Sequence, residues 1–188
     1  MATTRDIAVI VGSLRTESFN RKTAKALVEL APAPLALEIV EIGQLPLYNA
    51  DLETAPPREW VEFRERIGRA DGVVFVTPEY NRSVPGVLKN AIDVASRPHG
   101  RNRWDGKPGA VVSASPGAIG GFGANQHVRQ SLVFLNVLPL QQPEAYIGGA
   151  DKLFDDAGKL ANEKTREFLE KVMRAYAAWV ETILGARA

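Results

Sequence analysis

The chain has no cysteine, which removes disulfides, thiolate nucleophiles, iron–sulfur clusters and thiolate zinc sites together. Only two histidines are present, and His99 and His127 lie too far apart for the short spacings of zinc motifs. Neither sign of charge dominates: 23 Lys and Arg stand against 22 Asp and Glu. That balance lacks the basic surplus of a nucleic-acid binder and the acidic tail of a disordered interaction arm, so no nucleic acid is expected and small molecules are the expected partners. Long hydrophobic runs are missing too. After a short polar start over 1–6, the first apolar run covers only residues 7–11, too few for a signal segment or a membrane span. No membrane association and a cytoplasmic location are expected. The glycine fingerprints G-x-G-x-x-G and G-x-x-x-x-G-K-[ST], which cradle a dinucleotide pyrophosphate and a nucleoside triphosphate, do not occur.

What is there is an alternation of short apolar runs with amphipathic stretches. At 188 residues with 45% hydrophobic content, one domain over 1–188 with a full core is expected. Runs at 7–11 and 73–76 are apolar without alternation, as in strands buried on both faces of a parallel sheet, and further strands are expected at 35–42, 110–113 and 137–140. Helical periodicity appears over 19–30, 58–70, up to about residue 96, over 124–136 and over 162–184. Strands alternating with helices at this spacing predict an α/β, doubly wound, five-stranded parallel sheet of flavodoxin-like order 2-1-3-4-5, with helices on both faces. The segment 43–57 reads as a packed loop. The segment 97–107, with Arg97, Arg101, Arg103 and Lys107 against Asp105, reads as exposed.

Three turns follow strand ends, where this topology binds ligands. The first, GSLRTESFN at 12–20, offers the hydroxyls of Ser13, Thr16 and Ser18, the amide of Asn20 and the guanidinium of Arg15, all donors to phosphate oxygens beside a helix N-terminus. Such a turn suits a terminal monophosphate, and FMN is the common cofactor that ends in one; the alternative is a polar turn with a capped helix. In the second, TPEYNRSVPG at 77–86, Pro78 and Pro85 stiffen the backbone while Gly86 permits close approach. The third, at 114–123, carries four glycines. Order 2-1-3-4-5 would bring all three together.

With these motifs in this order, the chain resembles the NAD(P)H-dependent FMN reductases, a flavodoxin-like family of quinone, chromate and azo-dye reductases. The resemblance rests on 12–20, on 77–93 and on 115–121. It implies that Ser13, Arg15, Ser18 and Asn20 hold the FMN phosphate, with Thr16, Glu17 and Phe19 in the same turn. It further implies that Pro78, Glu79, Tyr80 and Asn81 line the isoalloxazine edge and that Ser115 and Gly117 sit beside the ring. NADPH or NADH would be the donor, a small molecule the acceptor, and the assembly a homodimer or homotetramer, with Arg129 and Glu144 as candidate contacts between subunits. Many relatives place an aromatic after the Asp that closes the second motif; here Val94 follows Asp93.

Flavin chemistry needs no acid/base dyad from the protein, in keeping with a sequence that shows no catalytic triad. Glu79 and Tyr80 are therefore read as shaping the flavin loop rather than as a base and a proton donor. A flavodoxin-like single-electron carrier is the alternative, but such carriers are usually acidic and this chain is nearly neutral. The loop over 97–107 is assigned either to solvation or to attracting anionic substrates through Arg101, which its position at the far end of the sheet allows only by reaching outward.

Overall fold

The computed structural model describes residues 3–186; Met1, Ala2, Arg187 and Ala188 of the expected span lie outside the described residues. Five strands lie in the order β2-β1-β3-β4-β5, namely β2 (Leu35–Val40), β1 (Arg5–Val11), β3 (Gly72–Thr77), β4 (Pro108–Ala114) and β5 (Leu138–Pro139), and β6 (Ala145–Ile147) also pairs with β4. All pairings are parallel, as the expected order requires.

The apolar runs explain both faces. Side chains alternate across a strand, so Ile7, Val9 and Val11 of β1 join one core with α1 (Phe19–Leu30) and α5 (Glu163–Gly185). Ala8 and Ile10 join the other, with α2 (Arg58–Arg69), α3 (Gly86–Ala95) and α4 (Phe122–Phe134). Val74 and Val76 of β3 go to the first core, Val73 and Phe75 to the second. At the centre, the buried Tyr176 of α5 shares its hydroxyl proton between the carbonyls of Val73 (3.1 Å) and Pro108 (3.2 Å). A Cβ on Gly72 would stand 2.6 Å from that oxygen, so the glycine makes room for the hydroxyl.

Three features depart from the sequence expectation. The last sheet position is shared by two short strands: β5 meets β4 at Pro108 and Gly109, and β6 meets it from Val112 to Ala114. Pro139 has no N–H to continue a ladder, and the chain returns to the sheet only at Ala145. The basic segment is not simply exposed, because Trp104 is fully buried within it. Its indole N–H donates to the Ile92 carbonyl (3.0 Å) and its ring meets Phe63 and Phe75, which pins the loop to the second core. Finally, the helical face of α2 buries a charge. Arg64 donates to the Val94 carbonyl and to both carboxylate oxygens of Glu53, and it lies over the Trp60 ring. Glu53 belongs to a 3₁₀ turn, Ala50–Thr54, so this pair ties down the loop over 43–57, where Tyr48 also stacks on Trp60.

Candidate functional site

The first turn runs from β1 into α1. Ser18 is the N-cap and its Oγ accepts from the Arg21 N–H (3.2 Å), which leaves the hydroxyl proton to be donated elsewhere. The Phe19 and Asn20 N–H groups head the helix with no carbonyl four residues back to receive them. Ser13 is buried beneath, while Arg15, Thr16 and Glu17 are exposed. Among the described residues Arg15 makes no ion pair. Glu17 pairs with Lys22 at 2.8 Å, and that ammonium holds its carboxyl below the usual range. Asn20 has a structural part besides the expected one. Its side chain is buried and both ends are engaged by Ala114, whose carbonyl accepts from Nδ2 (2.9 Å) and whose N–H donates to Oδ1 (3.2 Å). The Asn20 amide therefore braces the turn against β4 with its oxygen and one Nδ2 proton, which leaves the second Nδ2 proton and the backbone N–H as donors.

The second turn begins at Thr77, whose hydroxyl donates to the Pro78 carbonyl (2.8 Å). Tyr80 and Ser83 then exchange backbone hydrogen bonds of 3.0 and 2.9 Å. Between them Asn81 and Arg82 have φ of 51° and 63°, the pattern of a two-residue type I′ hairpin. The Glu79 carboxylate turns inward, where its Oε2 accepts from the Ala124 N–H (3.2 Å) at the start of α4 and its Oε1 lies 3.3 Å from Arg82. The third turn leaves β4 with the Ser115 N–H on the Ile147 carbonyl (2.9 Å), and the Ser115 Oγ accepts from the Gly117 N–H (3.1 Å). Here too the hydroxyl proton is left for a ligand. Gly120 has φ of 65°, and a Cβ there would come within 2.7 Å of Tyr146 backbone, so β6 fixes this turn from behind.

The three turns meet around one cavity of about 120 Å³. Ser13, Arg15, Ser18, Phe19 and Asn20 supply one wall, Pro78, Glu79 and Tyr80 a second, and Ala114, Ser115 and Pro116 the third. A wider apolar cleft of about 410 Å³ adjoins it through the shared residues Arg15 and Tyr80, with Leu14, Pro85 and Val87 on its other sides. Leu14 and Tyr80 are about half exposed there, an apolar surface of the kind that ligands cover.

Not every expected residue reaches this cavity. Thr16 and Glu17 line a polar groove on the outer side of the turn with Lys22, Lys25 and Lys159. Asn81 sits at the hairpin tip and Gly117 is exposed beyond Ser115, so neither lines a wall. Arg101 lies in a separate cleft with Glu53, Arg97 and Arg103. It follows α3 and precedes β4, so it belongs to the opposite end of the sheet and does not meet these turns within its own chain. Arg129 and Glu144 are not an exposed pair. Arg129 donates to the Asn125 side chain (3.0 Å) and the Leu140 carbonyl (2.9 Å), and Glu144 accepts from Gln126 (3.4 Å). His127 lies inside α4 and its Nδ1 stands 2.9 Å from the Ser83 hydroxyl.

Sequence reasoning missed the two braces, Asn20 to Ala114 and Glu79 to Ala124. Each joins segments distant in sequence, and no local spacing signals them. What the arrangement offers chemically is a set of hydroxyl and N–H donors and one unpaired guanidinium at the head of α1, next to an open apolar shelf. Donors of that kind fit a phosphate, and the shelf fits a planar ring.

Comparison with known proteins identifies the family. The family model described as NADPH-dependent FMN reductase matches residues 5–152. A quinone reductase of Pseudomonas putida is 66% identical over 182 residues, covering 96% of this chain and 97% of its own. A 2-hydroxy-1,4-benzoquinone reductase of a Burkholderia species is 48% identical over 174 residues, covering 93% and 95%. Among solved structures, the flavoenzyme NAD(P)H:(acceptor) oxidoreductase FerB from Paracoccus denitrificans superposes with a TM-score of 0.90 at 41% identity, covering 95% of this chain and 98% of its own.

Proposed function

Because this chain belongs to the NADPH-dependent FMN reductase family, we propose that it is an FMN-containing oxidoreductase that takes reducing equivalents from NADPH or NADH and delivers them to quinones. The observation that carries the reading is the convergence of the three turns on one cavity. FMN, when bound, supplies the carrier for the electron pair between donor and acceptor.

The chain's own residues bind and orient. Ser18 and the N–H groups of Phe19 and Asn20 donate to the phosphate at the head of α1, and Arg15 neutralises its charge from the solvent side. Ser13, on the same wall of the cavity, adds its hydroxyl to that set. Pro78, Glu79 and Tyr80 present a stiff edge to the ring, and Ser115 donates to it from the opposite wall. The cleft bounded by Leu14, Tyr80 and Val87 keeps one side open, so a nicotinamide and an acceptor use the same access in turn, which makes the kinetics ping-pong. Chromate-like oxyanions, azo compounds and free flavin are further acceptors in this reading. The protein acts as one domain over 1–188, as a homodimer or homotetramer in the cytoplasm; among the described residues no helix is long and apolar enough to cross a membrane.

The test is reconstitution followed by extraction. The purified protein takes up FMN, releases FMN rather than FAD on denaturation, and oxidises NAD(P)H with a benzoquinone as acceptor. Intersecting initial-rate lines would contradict the ping-pong assignment, and a protein that does not take up FMN would contradict the whole reading.

A further inference from the structure

We propose that the Glu79 carboxylate sets the reduction potential of the bound flavin, acting as a positioning and charge-balancing residue between the second and third turns. The inference rests on the FMN reading above and assigns a role that binding alone does not require.

The observation starts with α4. Its N-cap is Gly121, at φ of 79°, with no side chain to satisfy the first amides of the helix. Orphan N–H groups at a helix start carry a partial positive charge along the axis. This start lies at the same end of the sheet as the cavity, a few residues after Ser115 and Pro116 of the cavity wall. The cap comes instead from another turn, as Glu79 Oε2 accepts from the Ala124 N–H at 3.2 Å. The fit leaves no slack, since a Cβ on Gly123 would stand 2.9 Å from that oxygen and 2.9 Å from the Arg82 carbonyl. The Glu79 side chain is only 12% exposed, so water screens it weakly. One carboxylate thus ties a wall of the cavity to the start of α4 and opposes the positive field there.

Two-electron reduction adds negative charge to a flavin. A fixed carboxylate at the rim opposes that charge, whereas a bare helix N-terminus favours it. Glu79 therefore holds the potential down, and its neutralisation raises it. Arg82, 78% exposed and 3.3 Å from Glu79, offsets part of the carboxylate, so its neutralisation acts in the opposite direction and more weakly.

The experiment is the midpoint potential of FMN-loaded protein by anaerobic spectroelectrochemistry, with the FMN Kd measured in parallel. Glu79→Gln keeps an acceptor for the Ala124 N–H but removes the charge. Whatever its Kd for oxidised FMN, it is expected to favour reduced over oxidised flavin by about three- to tenfold more than the wild type does, which at 29.6 mV per tenfold for two electrons is a rise of about 14–30 mV. Glu79→Ala removes the cap as well and is expected to show the same rise together with weaker FMN binding. Arg82→Gln, at an exposed position that does not threaten folding, is expected to lower the potential. An unchanged or lowered potential in Glu79→Gln, or an unchanged or raised one in Arg82→Gln, overturns the proposal even if FMN is bound. Wild-type protein that takes up no FMN contradicts instead the functional reading on which this one rests.

Discussion

The side-chain amide of Asn20 and the backbone of Ala114, 94 residues apart in sequence, close two hydrogen bonds on each other, of 2.9 and 3.2 Å. The pair does for the first and third turns what a strand ladder would do, with a side chain substituting for one strand. Replacing Asn20 with Ala leaves the buried N–H and carbonyl of Ala114 without partners, at about 1–3 kcal/mol each before any relaxation. The expected outcome is a loss of about 2–4 kcal/mol in urea unfolding together with weaker FMN binding. A variant within about 0.5 kcal/mol of wild type would show that the brace carries no stability.

Arg15 stands at the junction of the cavity and the apolar cleft. If it makes a charge-assisted bond to the phosphate, Arg15→Ala weakens FMN binding by about 1.5–3 kcal/mol, roughly ten- to a hundredfold in Kd. Titration of apo-protein with FMN by fluorescence quenching measures this directly, and an unchanged Kd removes Arg15 from the site.

Gly120 separates backbone geometry from side-chain chemistry. Its φ of 65° and the 2.7 Å approach of Tyr146 backbone leave no space for a methyl group. Gly120→Ala is expected to displace the third turn and to reduce FMN affinity by more than Arg15→Ala does, although no donor is lost. Equal or better affinity in Gly120→Ala would mean that the turn tolerates movement.

Tyr176 supplies a contrast. Its hydroxyl is buried between two carbonyls far from the turns, and burial pushes its pKa up. Tyr176→Phe is expected to cost about 1–2 kcal/mol of stability with no change in FMN Kd. A change in Kd without a change in stability would contradict the assignment of Tyr176 to the core.

These cases show which parts of the fold and site were legible in the sequence. Runs such as 73–76 announce strands buried on both faces because every residue is apolar, and the order of the sheet follows from their alternation with helices. The three turns were legible because Ser, Arg, Pro and Gly clusters at strand ends have few structural uses. Pairings at long range were not legible: nothing near Asn20 points to Ala114, and nothing near Glu79 points to Ala124. Trp104 was hidden for a related reason, since a single aromatic in a basic segment has no periodicity to mark it as core. The second short edge strand was missed because three residues, Ala145–Ile147, fall below any pattern that alternation can reveal.

The central claim is that the three turns hold FMN and that a nicotinamide donor reduces it there. Anaerobic titration of the FMN-loaded protein with NADH and with NADPH, followed through the flavin absorbance band, tests it most directly. The account predicts that at least one donor bleaches the band stoichiometrically and that a benzoquinone added afterwards restores it. A band left unchanged by both donors, or bleached flavin that a quinone does not reoxidise, would contradict it.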